Sequence, residues 1–169
     1  MLDSVSHQQV NVPWLLRGKL LFASYRRQDS ADVTGRICDG LVRKFGRRRV
    51  IQDIDSIPLG TDFKDYIERT IPHCRVMLAV IGPNWQIDPA ADGRRYFDDP
   101  KDLVGFEIAS ALRHKVRIIP VLVGGASMPT AEQLPDALRP IVGIHGMQVR
   151  SGTDFHNDMQ RLLRGLQGR

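Results

Sequence analysis

Five short apolar runs, each followed by a segment whose apolar residues recur at helical spacing, constrain this chain more than any other feature. The runs read as strands at residues 19–23 (KLLFA), 50–52, 76–81 (VMLAVI), 116–123 and 147–149. The third and fourth are almost unbroken in apolar residues, as parallel strands covered on both faces are. Pro120 interrupts the fourth. Proline donates nothing to a ladder, so a bulge is expected there.

The intervening segments read as helices. Val33, Ile37, Leu41 and Phe45 share a stripe, with Asp29 or Ser30 expected as N-cap and Gly46 as the stop. Phe63, Tyr66, Ile67 and Ile71 form the second, capped near Thr61 or Asp62 and stopped by Pro72. Val104, Ile108, Ala111 and Leu112 form the third. Leu134, Leu138 and Ile141 form a short fourth with Pro135 in its first turn. Phe155, Met159, Leu162, Leu163 and Leu166 form the last, capped by Asp154. Strand–helix alternation with right-handed crossovers requires a parallel sheet. The predicted fold is therefore α/β and flavodoxin-like: a five-stranded parallel sheet of order 2-1-3-4-5 with helices on both faces.

At 169 residues the chain is one domain in size. Residues 1–18 carry no pattern and read as a flexible N-terminal arm, with the domain at 19–169. No run approaches the roughly 18 apolar residues of a membrane span, and the N-terminus does not read as a signal peptide. A cytoplasmic setting with no membrane partner is expected. Cys38 and Cys74 fit it as buried thiols rather than a disulfide framework. The net charge of +5 permits an anionic partner. No recognition-helix, zinc-finger or stacking-aromatic pattern accompanies the run at Arg47, Arg48 and Arg49, so nucleic acid is not expected to bind directly.

In such sheets ligands bind beyond the carboxyl ends of the strands, where strand order reverses. That places a crevice between the loop of Tyr25, Arg26, Arg27, Gln28, Asp29 and Ser30 and the long loop 83–100. The loop 54–61 opens on the same rim. Loops as long as 83–100 are more often functional than accidental. Two arginines and several helix N-termini suit an anion. The chain has neither GxxxxGK[ST] nor GxGxxG after the first strand, and its five histidines are scattered singly, so neither a nucleotide-loop motif nor a metal site is expected.

Three segments then carry a family likeness across residues 19–167. FASYRRQDS resembles the opening box of TIR (Toll/interleukin-1 receptor) domains, and VIQDIDSIPLGTDF resembles their second strand and following loop. RRYFDDPKDLVGFEIASAL resembles the bacterial branch, and DLVGFEI places Glu107 where enzymatic members carry a glutamate. Many animal TIR domains are adaptor surfaces, whereas many bacterial and plant ones hydrolyse or cyclise NAD.

The resemblance implies an NAD+ glycohydrolase that takes NAD+ as substrate and needs no cofactor. It would be activated by self-association with other TIR domains in bacterial immune defence, with a sensor domain or partner protein as trigger. Alone, Glu107 reads as a helix glutamate at the core margin. Within the motif, the resemblance implies that it is the catalytic carboxylate. Arg26 and Arg27 would face the phosphates. Tyr25 and Phe63 would pack on an aromatic ring or anchor loops. Ser30 would cap the first helix or touch substrate, and Asp53 would fix the loop after the second strand. Asp55, Ile57, Pro58 and Gly60 belong to that loop, which in the family mediates assembly. Several enzymatic members carry a tryptophan four residues before the glutamate, where this chain has Leu103. Trp85, Tyr96 or Phe97 would supply the ring.

The competing reading is a non-enzymatic TIR adaptor. A phospho-receiver of the same topology needs acids where this chain has Arg26, Arg27 and Gly82, and is excluded. A nucleoside-deoxyribosyl transferase is a more distant alternative.

Overall fold

The computed structural model of the protein describes residues 19–52, 57 and 59–168. Its longest apolar run becomes the centre of the sheet. β3 (Cys74–Ile81) lies between β1 (Leu20–Ser24) and β4 (Arg117–Leu122), with β2 (Val50–Ile51) and β5 (Met147–Gln148) at the edges. All neighbours are parallel and the order is β2-β1-β3-β4-β5, as the alternation predicts.

The period of two along β3 builds two cores. Met77, Ala79 and Ile81 face α2 (Phe63–Thr70) and α3 (Leu103–Arg113). Val76, Leu78 and Val80 face α1 (Arg27–Phe45) and α4 (Phe155–Gln167). Each large aliphatic among them is essentially solvent-free and contributes about 1.5–3 kcal/mol by burial. A charge at Leu78, which is solvent-free, would be buried without a partner and would disrupt the sheet.

Pro120 makes no bulge: it sits opposite Ala79 in an unbroken β3–β4 register. Val123 N donates to Ile81 O, while Leu122 O accepts from Val149 N. By alternation the missing N–H of Pro120 faces β5, whose ladder begins only at Val121 and Met147. No bond to β3 is lost. The irregularity lies instead in β1–β3, between Leu20 and Leu21.

The helices correct three expectations. The first begins at Arg27, with Arg26 as N-cap and no side-chain cap. Ser30 is a kink (φ −144°, ψ 20°) whose Oγ donates back to Arg26 O at 3.3 Å. Asp154 takes the expected N-cap position of the last helix, at the end of a 3₁₀ turn, Gly152–Asp154, but its side chain makes no cap hydrogen bond and pairs instead with Arg150 at 3.2 Å. The predicted fourth helix is absent. Leu134, Leu138 and Ile141 are buried as predicted, but the backbone forms 3₁₀ turns at Ala131–Gln133 and Arg139–Gly143. Pro135 and Pro140 each remove a backbone donor that a continuous helix would need. The remaining caps are as expected: Asp62 accepts from Lys64 N and Asp65 N, and Gly46 closes α1 at φ +92°. Among the described residues no helix is long and apolar enough to cross a membrane. The expected arm, 1–18, lies outside the described residues.

Candidate active site

Asp102 is the N-cap of α3, and its Oδ2 accepts from Gly105 N at 3.1 Å. The same carboxylate receives Arg26 Nη1 at 2.8 Å and Nη2 at 3.2 Å. Arg26 Nε donates to Trp85 O, and the guanidinium stacks over Tyr96 at 3.9 Å from the ring centroid. Burial, then Asp88, raises the Tyr96 phenol above its ordinary range. Arg26 is 5% exposed. It therefore ties the first loop to α3 and the long loop, and its guanidinium is spent on the protein rather than held out to an anion.

The space between the loops after β1 and β3 is filled. Asp29 Oδ1 accepts from Asn84 N at 2.9 Å, and a Cβ on Gly82 would lie 2.2 Å from Asp29 Oδ2. Trp85 is 1% exposed and meets Phe97 edge-on, with centroids 5.1 Å apart. Trp85 is thus a core residue and not a substrate ring. The long loop folds into a small hairpin bridged at Ile87 and Arg95 and supports the site from behind.

The open cleft lies on the other side of β1. It has a volume of about 270 Å³ and is bounded by Tyr25, Arg26, Arg27 and Gln28, by Ile51, Gln52 and Ile57, by Tyr66 and Ile67 of α2, and by Leu103, Val104 and Glu107 of α3, with Phe22 and Ala23 beneath. Glu107 is 8% exposed, and its Oε2 accepts from Ser24 Oγ at 2.6 Å.

Of the residues singled out in the sequence, the cleft gathers Glu107, Tyr25, Arg26, Arg27, Leu103 and Ile57. Ser30 is buried beneath the first loop, and Phe63 is half-exposed at the start of α2; neither lines the cleft. Gly60 supplies the expected turn at φ +81°. Asp53, Asp55 and Pro58 lie outside the described residues. The rings facing the cleft are Phe22, Tyr25 and Tyr66. The ring expected from Trp85, Tyr96 or Phe97 does not line it.

Sequence reading missed Ser24, Gln52, Tyr66 and Asp102 as site residues, while Gln28, on the expected rim loop, does line the cleft. Two had a signal. Ser24 has the parity of Leu20 and Phe22, which puts its hydroxyl on the α3 side of β1. Asp102 stands three residues before Gly105 at a helix start, as an N-cap does.

Comparison with known proteins follows the same lines. A family profile described as "TIR domain" matches residues 21–163. Among solved structures, the chain is similar to the TIR domains of the activated Roq1 resistosome, which directly recognizes the pathogen effector XopQ. The TM-score is 0.63 at 15% identity, covering 86% of this chain and 98% of that one. It is also similar to a metazoan TIR-STING receptor from C. gigas in complex with 2',3'-cGAMP (TM-score 0.57, 20% identity, 88% of this chain). The chain spans 39% of that receptor's length. A search of curated proteins found no match. The chain belongs to the TIR domain family.

Proposed function

We propose that the protein is an NAD+ nucleosidase that cleaves the nicotinamide–ribose bond, releasing nicotinamide and ADP-ribose or a cyclic ADP-ribose. The observation that carries this reading is a buried carboxylate, Glu107, set in the cleft against a hydroxyl donor and at the family's glutamate position. When the C1′–N bond breaks, its electron pair moves onto the pyridinium nitrogen and leaves neutral nicotinamide. The ribose is left with oxocarbenium character. A fixed carboxylate in a partly desolvated cleft stabilises that charge far better than water does. Water then adds to C1′ and loses a proton, or an adenine nitrogen adds and closes a ring.

The cleft is slightly smaller than the roughly 300–1,000 Å³ typical of small-molecule sites. It suits the nicotinamide–ribose end of the substrate. The pyrophosphate then lies toward Arg27, which is exposed at the rim. With Arg26 committed to Asp102, the phosphate role falls to Arg27.

Leu59 is fully exposed beside Gly60, an apolar tip on the loop that borders the cleft at Ile57. Such a tip suits contact with a second TIR domain, so activity is expected on TIR–TIR assembly. The setting is cytoplasmic immune defence. The same tip supports the adaptor reading, in which assembly occurs without turnover. Nicotinamide release measured against protein concentration, with a crowding agent, separates the two. The enzyme reading expects release that rises more than proportionally with concentration and is lost in Leu59→Asp. The adaptor reading expects Leu59→Asp to abolish association while nicotinamide stays at background throughout.

A further inference from the structure

We propose that Ser24 is a positioning residue for Glu107, holding one carboxylate oxygen so that the group meets the ribose in a single orientation. This rests on the nucleosidase reading above. Ser24 is the last residue of β1, where it pairs with Ala79 of β3, and is 1% exposed. The two residues that share its face of the strand, Leu20 and Phe22, are apolar and packed into the α2–α3 core. A hydroxyl on such a face is unfavourable unless it is hydrogen-bonded. Its bond of 2.6 Å to Glu107 Oε2 falls within the range of a charge-assisted O–H···O⁻ contact.

The geometry explains why this position serves the site. A serine hydroxyl has one hydrogen to give, and here it goes to the carboxylate. The donor sits at the end of β1, laddered to β3 at Ala79, on a strand that also pairs with β2 at Leu21 and Phe22, while the acceptor sits on a helix. Ala79, the residue opposite Ser24 on β3, is small and belongs to the same core as Ile108 and Ala111 of α3. Asp102 fixes the start of α3, and Ser24 fixes the carboxylate one turn further along. A glutamate has three side-chain torsions, and a single oriented bond from a rigid strand removes much of that freedom.

The test compares wild type, Ser24→Ala, Ser24→Thr and Glu107→Gln in two measurements. The first is nicotinamide release by the full-length chain under assembling conditions. Ser24→Ala should lower kcat by about ten- to hundredfold, with KM changed less than about twofold. Ser24→Thr, which keeps the hydroxyl on a strand-compatible side chain, should restore most of the rate. The second is the crystal structure of each variant without substrate. Glu107 should leave its place or occupy several rotamers in Ser24→Ala and return in Ser24→Thr.

An ordered, unmoved Glu107 in Ser24→Ala with kcat intact overturns the proposal. Equal loss of kcat in the alanine and threonine variants, tracking lost thermal stability, also overturns it. If wild type and Glu107→Gln release nicotinamide equally at background, the nucleosidase reading fails. The crystal structures then still decide whether Ser24 holds Glu107.

Discussion

Arg26 and Asp102 are bound side chain to side chain, at 2.8 and 3.2 Å, with the pair 5% and 8% exposed, and Asp102 is also the N-cap of the helix that carries Glu107. Removing either partner leaves the other charge buried, which costs about 3–5 kcal/mol. Asp102→Ala loses the cap as well. Urea midpoints should therefore fall sharply in Arg26→Ala and Asp102→Ala, and least in Arg26→Lys, which keeps a charge but not the bidentate fork. An Arg26→Ala protein of unchanged stability and raised KM would instead restore Arg26 as a phosphate ligand.

Gly82 and Asp29 share one small space. A Cβ at Gly82 would approach Asp29 Oδ2 at 2.2 Å and force that side chain off Asn84 N. Gly82→Ala should cost about 1–3 kcal/mol. The double variant Gly82→Ala/Asp29→Ala should recover part of that loss, giving a coupling that a double-mutant cycle in denaturant measures. Strict additivity would refute the contact.

Much of this fold is legible in the residues, and the failures have physical causes. The run of residues 76–81 is long and apolar enough to mark the central strand, and the stripe of Phe155, Met159, Leu162 and Leu166 survives intact in α4. Leu134, Leu138 and Ile141 have the spacing of a helix and its burial, yet two prolines break the backbone into 3₁₀ turns. Periodicity reports which side chains face the core, not how the amides are satisfied. Glu107 was visible through the motif. The role of Arg26 is not legible in the sequence, because its partners Trp85, Tyr96 and Asp102 are distant along the chain and a loop arginine reads by default as solvent-facing. The burial of Trp85 is hidden for the matching reason: the loop that carries it folds back into the core.

Asp158 provides a pH-dependent brace for α4. It is 1% exposed and accepts from Arg150 N, Nε and Nη2 at 2.9–3.0 Å. The hydrogen bonds from Arg150 hold its carboxyl at about 2, below the ordinary carboxylate range. A folded-state value below the unfolded one means the brace contributes fully above about pH 4 and is lost as pH falls through about 2. Thermal melts from pH 5 down to 2 should lose stability less steeply in Asp158→Asn than in wild type. Parallel curves would contradict the assignment.

Cys38 and Cys74 are buried, and burial pushes both thiols up to about 12. For Cys38, Asp39 adds to the rise. Thiolates are the reactive form. A thiol reagent at pH 8 should label neither cysteine in the native protein and both in denaturant. Rapid labelling of either under native conditions would show that its face of the sheet opens.

The central claim is that the carboxylate of Glu107 cleaves NAD+. It is tested most directly by separating the products of an NAD+ incubation by chromatography, for wild type and Glu107→Gln at equal, demonstrated assembly. Wild type should release nicotinamide with an equal amount of linear or cyclic ADP-ribose. Glu107→Gln, which keeps the shape and removes the charge, should fall to background. Equal background release from both proteins, with assembly confirmed, would contradict the account and leave the adaptor reading standing.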